Sequence, residues 1–353
     1  MWHSNALTER LNLRWPILQA PMGSLSSPAL AAAVSNAGGL GGLGMWGLSG
    51  AEAERRILGF RQQCSGSLNV NYPLWPEPVI DSTASEAMRR RLQPYFDEHK
   101  LGSVPEPTGK AGEVSPEHLA VLLRLKPQLV SFHFGLPPPS VIDALKGAGI
   151  CIVSSATTVR EAKLLEAAGV DAIIAQGAEA GGHRGTFTAT DMGAQAGLFA
   201  LLPQVVDAVK VPVIAAGGIA DARQVAAAFM LGASAVQIGT AFLRCDEANV
   251  LDAHRAALRE ADESSTVVTD MITGRPARFI RNRLTDDLIA SELEPVAFPA
   301  HYSMIQPLGQ TGERDLTPLF AGQSAALAKD TTAAALVAEF ADSTTKRLRA
   351  FVS

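Results

Sequence analysis

Eight short apolar runs, each closing on a glycine or a polar residue and most followed by a helical pattern, constrain this chain more than any other feature. They begin near residues 16, 40, 68, 129, 150, 171, 211 and 235. The run Ala172–Ile173–Ile174–Ala175 is apolar on both faces, which suits a strand covered on both sides, as strands of parallel sheets are. Helix signals stand between the runs. Ser27-Pro28 opens a helix through Asn36 with proline in its first turn, Thr157-Thr158 caps VREAKLLEAAG, and Asp221 caps ARQVAAAFMLGA. Eight βα units predict an α/β protein folded as a closed parallel (β/α)8 TIM barrel. A doubly wound open sheet would need a GxGxxG turn after its first strand, and PMGSLS is not one.

The barrel is expected to span 1–244, and two stretches break its rhythm. Residues 76–116 are rich in charge and proline around one helical pattern, Ser85–His99, and read as an excursion that forms part of a lid. Residues 245–312 hold helical runs at Asn249–Ala261 and Asp286–Glu292 and a loop carrying Pro295, Pro299, His301 and Tyr302. They predict a small capping subdomain. Residues 313–353 are expected to pack back on the barrel wall, through a helix Thr332–Phe351 with an apolar stripe of Ala335, Leu336, Ala338, Phe340 and Leu348.

Composition narrows the function classes. A chain of 353 residues with 47% hydrophobic content is ample for a buried core. Its net charge of −5 comes from interspersed acids and bases with no basic tract, so no nucleic-acid partner is expected. No apolar run approaches the ~18 residues of a membrane helix, so no membrane partner is expected either. Cys64, Cys151 and Cys245 are odd in number and far apart, which fits inert thiols in a reducing compartment. The first residues, MWHSNALTERLNLRWP, show no signal-peptide core, and the expected location is cytoplasmic.

Strand C-termini of such a barrel converge on one face, which brings together Met22, Asn71, His133, Gln176, His183, Gly218 and Gly239. Asn69 and Asn71 face one way on the third strand, suited to amide recognition or to holding nearby loop backbone. Gly181 and Gly182 let the backbone approach a ligand and leave His183 at a loop tip, where it titrates near neutral pH. It can act there as acid, base or donor, or stand as a solvated surface histidine. Glycine turns at Gly217-Gly218 and Gly239-Thr240, after the seventh and eighth strands, match the usual barrel phosphate site and imply a phosphorylated ligand. No metal cage is expected, because Glu179 and His183 straddle a Gly-Gly pair that cannot be helical. There is no GxSxG elbow for acyl transfer.

QAPMG, NVNYP, AQGAEAGGHRG, AAGGI and QIGTAF, in this order along the strands, resemble the nitronate monooxygenase family, formerly called 2-nitropropane dioxygenases. The His183 motif, with Tyr302 and AGQS downstream, is most similar to class I members. The resemblance spans nearly the whole chain. It implies a barrel that binds FMN non-covalently and oxidises alkyl nitronates, such as propionate 3-nitronate, with O2 to a carbonyl compound and nitrite. Carried onto this sequence, it puts Asn71, Gln176, Gly181, Gly218, Gln237, Ile238, Gly239 and Thr240 on FMN, with Gly217 in the phosphate turn and Ala20, Pro21 and Met22 beneath the ring. His183 corresponds to the family histidine beside the flavin, and His133 and Tyr302 are candidates for the substrate side. Family members can carry further tyrosines and a lysine near the cap, where this chain has Phe298, Tyr302 and Gln306. The resemblance also touches flavin-dependent enoyl-thioester and quinone reductases, so an NAD(P)H-dependent flavin reductase is the alternative. A non-enzymatic flavin-binding barrel is a further one. The absence of an arginine-rich run beside the glycine turns favours the oxidase.

Overall fold

The computed structural model describes residues 2–189 and 191–352. Its strands are β1 (Ile17–Gln19), β2 (Gly41–Gly44), β3 (Leu68–Pro73), β4 (Leu129–His133), β5 (Cys151–Ala156), β6 (Ala172–Gln176), β7 (Gly182–His183), β8 (Val213–Ala216), β9 (Ala235–Ile238), β10 (Thr266–Thr269) and β11 (Ala277–Ile280). Eight of them pair in parallel in the order β1-β9-β8-β6-β5-β4-β3-β2. Leu40 N donates to Ile17 O and Gln19 N to Leu40 O, both at 2.9 Å, and these bonds close the ring between β2 and β1. The eight expected strands are therefore the eight of a (β/α)8 barrel.

Period-two alternation sorts the strand side chains. Leu18, Leu129, Val153, Ile174 and Ile214 fill one cluster with Leu7 and Leu11 of the helix Ala6–Leu11. Their alternates, among them Val70, Val130, Ile152, Ile173 and Val236, face the surrounding helices. Six residues are too few for a stable isolated helix, but burying Leu7 and Leu11 contributes about 1.5–3 kcal/mol each and holds this one against the barrel. The glycines of β2 answer to close packing. A Cβ on Gly41 would stand 2.0 Å from Ala31 O of helix Pro28–Asn36, whose first turn is fixed by the Ser27 hydroxyl accepting from Leu30 N at 2.9 Å.

A second apolar cluster lies apart from the barrel core. Met88, Leu92 and Phe96 of helix Ser82–Glu98 pack with Leu284 and Leu288 of helix Arg283–Ile289 and with Met304, Ile305 and Leu308 of helix Ala300–Gln310. Tyr95 OH donates to Asp287 Oδ2 at 2.6 Å across the same junction. The 76–116 excursion thus shares a core with residues beyond the barrel. Two local expectations are corrected here, and one feature is added. His301 and Tyr302 lie on a helix, not in a loop, because Pro299 precedes its first turn instead of breaking it. The antiparallel pair β10–β11, with β7 added at its edge, was not read from the sequence. In helix Ala333–Val352 the buried apolar residues are Ala333, Leu336, Val337, Phe340 and Ala341, with Thr344 buried beside them, whereas Ala335 and Ala338 are exposed. Alanine suits either face of a helix, so it marks the stripe poorly.

Candidate active site

Ala20, Pro21 and Met22 leave β1, Asn71 lies within β3, His133 ends β4 and Gln176 ends β6. Gly217-Gly218 follow β8, while Gln237 and Ile238 end β9 and Gly239 leads into the short helix Thr240–Leu243. Parallel strands place all of these at one mouth.

One side of the mouth is made largely of backbone. Gly217 and Gly218 have φ of +111° and +66°, a conformation that side chains rarely tolerate. The segment Ala321–Ser324, read from the sequence only as a motif, ties these turns together. Gly322 N donates to Thr240 Oγ1 at 2.9 Å, Ser324 Oγ to Gly218 O at 2.8 Å, and Gln323 N to Glu179 O at 3.0 Å. Gly181 packs against the same Ala321–Gly322 backbone. Glu179 is engaged elsewhere: both its carboxylate oxygens accept from Leu198 N at 2.8 Å and cap the helix Leu198–Ala208, whose N-cap, Gly197, has no side chain.

Amide side chains line the mouth in two states. Asn71 Nδ2 donates to Ser131 O and Oγ at 3.1 and 3.0 Å. Gln176 Nε2 donates to His183 O at 3.1 Å and its Oε1 accepts from Gly185 N at 2.7 Å, so this side chain shapes the loop that follows its own strand. Asn69 Oδ1 and Gln237 Oε1, by contrast, are enclosed without a hydrogen-bond partner. An unmet buried acceptor costs about 1–3 kcal/mol, which a ligand N–H would recover.

The other side is aromatic and centred on His183. This residue pairs with Ala277 through β7–β11 and so belongs to a strand, where the sequence placed it at a loop tip. Trp46 stacks on its ring at 5.6 Å, and Phe298, Phe134 and Phe320 stand 5.3, 5.9 and 5.8 Å away. Trp75 and Tyr302 complete the wall, Trp75 4.9 Å from Phe298 and Tyr302 6.5 Å from Trp46. His183 Nε2 lies 3.0 Å from Thr273 Oγ1. Although the residue is only half-buried, burial of its ring, with His133 and Arg275 beside it, pushes the imidazole down to about 3. The near-neutral titration expected from the sequence is corrected accordingly, and His183 is uncharged at pH 7.

His133 supports this wall from below. Its Nε2 lies 3.2 Å from His183 O and its Nδ1 3.0 Å from Ser155 Oγ. The carbonyl can only accept, so Nε2 carries the proton and Nδ1 accepts from the serine. Burial lowers its pKa to about 4. Two buried charges brace the loop beyond. Glu161 accepts from the amides of Thr157, Phe187 and Thr188 at 2.7–2.8 Å and from the hydroxyls of Thr157 and Thr186. Burial alone would raise its pKa, but these donors outweigh it and hold the carboxyl below the usual range. Arg184 donates to Gly177 O at 2.7 Å, Gln176 O at 3.1 Å and Gln195 Oε1 at 2.9 Å. Arg275 stacks on Phe134 at 3.9 Å. Glu161, Arg184, Thr273, Arg275 and the two tryptophans escaped the sequence reading; MWGL after the β2 glycines and the TGRPAR turn are the signals that mark three of them, Trp46, Thr273 and Arg275.

Comparison with known proteins identifies the family. The family model described as nitronate monooxygenase matches residues 4–342. A nitronate monooxygenase from Paraburkholderia phytofirmans is 41% identical over 95% of this chain and 93% of its own length. The solved structure of a nitroalkane oxidase from Streptomyces ansochromogenes superposes with a TM-score of 0.91 at 38% identity, covering 98% of this chain and all of that one. FabK from Thermotoga maritima follows at a TM-score of 0.77 and 28% identity, covering 99% and 98% of the two chains. With a family match along nearly its full length and a relative 41% identical over 95% of it, this chain belongs to the nitronate monooxygenase family.

Proposed function

We propose that the protein oxidises alkyl nitronates with FMN and O2, breaking the substrate's carbon–nitrogen bond to leave a carbonyl compound and nitrite. The carrying observation is His183, uncharged inside an aromatic wall and facing the same mouth as the positive-φ glycine pair. The residues present fit the cofactor. Gly217-Gly218 and Gly239-Thr240 would hold its phosphate, the unmet Gln237 Oε1 offers an acceptor for a ring N–H, and Ala20, Pro21 and Met22 would lie beneath the ring. FMN, when bound, supplies the electron acceptor that O2 restores.

The chain's own residues select and prepare the substrate. Trp46, Trp75, Phe298 and Tyr302 exclude water and favour an alkyl tail. A nitronate is already an anion and needs no base. A neutral nitroalkane must first lose a carbon proton, and an uncharged imidazole can accept it. The alternative is an NAD(P)H-dependent flavin reductase on the same barrel, and the likeness to FabK motivates testing it. Three buried, unpaired cysteines fit a cytoplasmic location.

Anaerobic mixing tests the proposal. The pure protein should show flavin absorption that bleaches with ethylnitronate and not with NADH. Fast bleaching by NADH alone would replace the oxidase with the reductase, and a colourless protein that takes up no FMN would remove both.

A further inference from the structure

Thr273 stands behind His183 and is almost completely buried. Its hydroxyl has a single hydrogen, which it donates to Arg275 O at 2.9 Å. The carbonyl can only accept, so the threonine oxygen meets His183 Nε2, 3.0 Å away, as an acceptor. His183 Nε2 must then carry the proton. In an uncharged ring this leaves Nδ1 bare. Among the described residues Nδ1 has no hydrogen-bond partner, and it is not one of the enclosed, unpartnered atoms represented by Asn69 Oδ1 and Gln237 Oε1. Nδ1 is thus the ring nitrogen that no described protein group occupies.

We propose that Thr273 is a positioning residue that fixes His183 as the Nε2–H tautomer and presents Nδ1 as the basic atom of the site. The Asp270–Arg275 turn holds it in place: Thr273 N and Gly274 N donate to Asp270 O at 3.2 and 2.7 Å. Other ring contacts leave the tautomer open, because Trp46, Phe134, Phe298 and Phe320 give His183 shape and no hydrogen bond. The charged or titratable groups that act on it are His133 from β4 and Arg275 from the same turn. Both disfavour a second proton on the ring, so the resting form is the neutral tautomer, and a proton taken up at Nδ1 during turnover is held only transiently. Proton transfer follows directly: the carbon–hydrogen bond of a nitroalkane breaks, its electron pair moves into the nitronate, and the proton joins Nδ1. Only this step rests on the function proposed above.

Two measurements separate the tautomer from the activity. Long-range proton–nitrogen NMR of histidine-labelled protein at pH 7, with His183 assigned by its loss in His183→Asn, should show a protonated Nε2 and an unprotonated Nδ1. Thr273→Val, which keeps the shape and removes the acceptor, should mix or reverse this pattern, and Thr273→Ser should restore it. A wild-type His183 that is protonated on Nδ1, or a pattern unchanged in Thr273→Val, would overturn the proposal whether or not the protein turns over any substrate. In steady state, Thr273→Val should lower kcat/KM for a neutral nitroalkane about tenfold, a fraction of what loss of a general base costs, and shift the acid limb of its pH profile. Thr273→Ser should stay near wild type. Equal losses with the nitroalkane and its pre-formed nitronate would show a merely structural role and overturn the positioning claim. Inactivity of every form toward both substrates, with the NMR pattern intact, would count against the oxidase reading and leave the tautomer assignment standing.

Discussion

The two sides of the barrel mouth are built on different principles. Around Gly217-Gly218, Gly239-Thr240 and Ala321–Ser324 the groups that matter are backbone amides and carbonyls at the ends of strands. Around His183 they are side chains, delivered by segments as far apart as Trp46, Trp75, Phe134, Phe298 and Tyr302. Backbone sites tolerate little addition, because a Cβ at Gly217, Gly218 or Gly322 would crowd its neighbours, whereas side-chain sites can be retuned one residue at a time. The first side should govern whether a cofactor is held, and the second which substrate reacts and how fast.

Substitutions that hit one side alone test this division, beginning with the most severe. Gly218→Val forces a branched side chain onto a φ of +66°, with its Cβ 3.1 Å from Glu179 Cβ. The variant should purify without flavin, measured by absorbance after gel filtration, while circular dichroism still reports the barrel. Retained flavin would move the phosphate site elsewhere. His183→Asn should do the opposite: keep the cofactor and lose roughly 10²–10⁴-fold of turnover with neutral nitroalkanes. Oxygen uptake with a pre-formed nitronate should fall much less.

The loop that follows His183 is braced by Glu161. Its folded pKa is depressed, so its contribution is complete above the unfolded glutamate value of about 4.3 and is lost as pH falls through the lower folded value. Glu161→Gln should cost on the order of 3 kcal/mol at neutral pH, because an amide cannot accept from all the donors that converge there. Thermal melts between pH 7 and pH 3 should show a flatter acid dependence in the variant than in the wild type. The mildest change is Phe298→Leu, which keeps apolar bulk and removes edge contacts to Trp46, Trp75 and His183. About 1 kcal/mol of aromatic pairing corresponds to a KM rise of roughly fivefold for alkyl nitronates with little change in kcat. A larger fall in kcat than in affinity would place Phe298 in the chemistry.

The same division explains what could be read from the sequence. Strand ends announce themselves, because apolar runs stop at glycines and polar residues, so Gln176, Gly217-Gly218 and Gln237–Thr240 were found at once. Trp46 and Trp75 were not, because nothing local tells an aromatic bound for a mouth from one bound for a core, and Phe298 entered only through the family resemblance of the cap. Their convergence joins segments far apart in the chain, Trp46 and Trp75 both meeting Phe298. His183 failed differently. Gly181-Gly182 argued for a loop, and only the distant partner Ala277 makes the segment a strand; burial of the ring, with His133 and Arg275 beside it, drives the imidazole far below neutrality.

Ring closure through β1 and β9 carries a consequence for how the molecule comes into being. Ile17 pairs with Val236, so a chain emerging from its N-terminus keeps one edge of its sheet unpaired until nearly the whole barrel has been made. Helix Ser82–Glu98 waits longer still for Ala300–Gln310. Contacts between such distant partners are slow to form, and intermediates with open edges and uncovered apolar faces are prone to associate. The aromatic wall is thus completed after the scaffold that carries it. Dilution from denaturant should recover barrel circular dichroism before tryptophan fluorescence reaches its native value, since Trp46 and Trp75 settle only when Phe298 arrives.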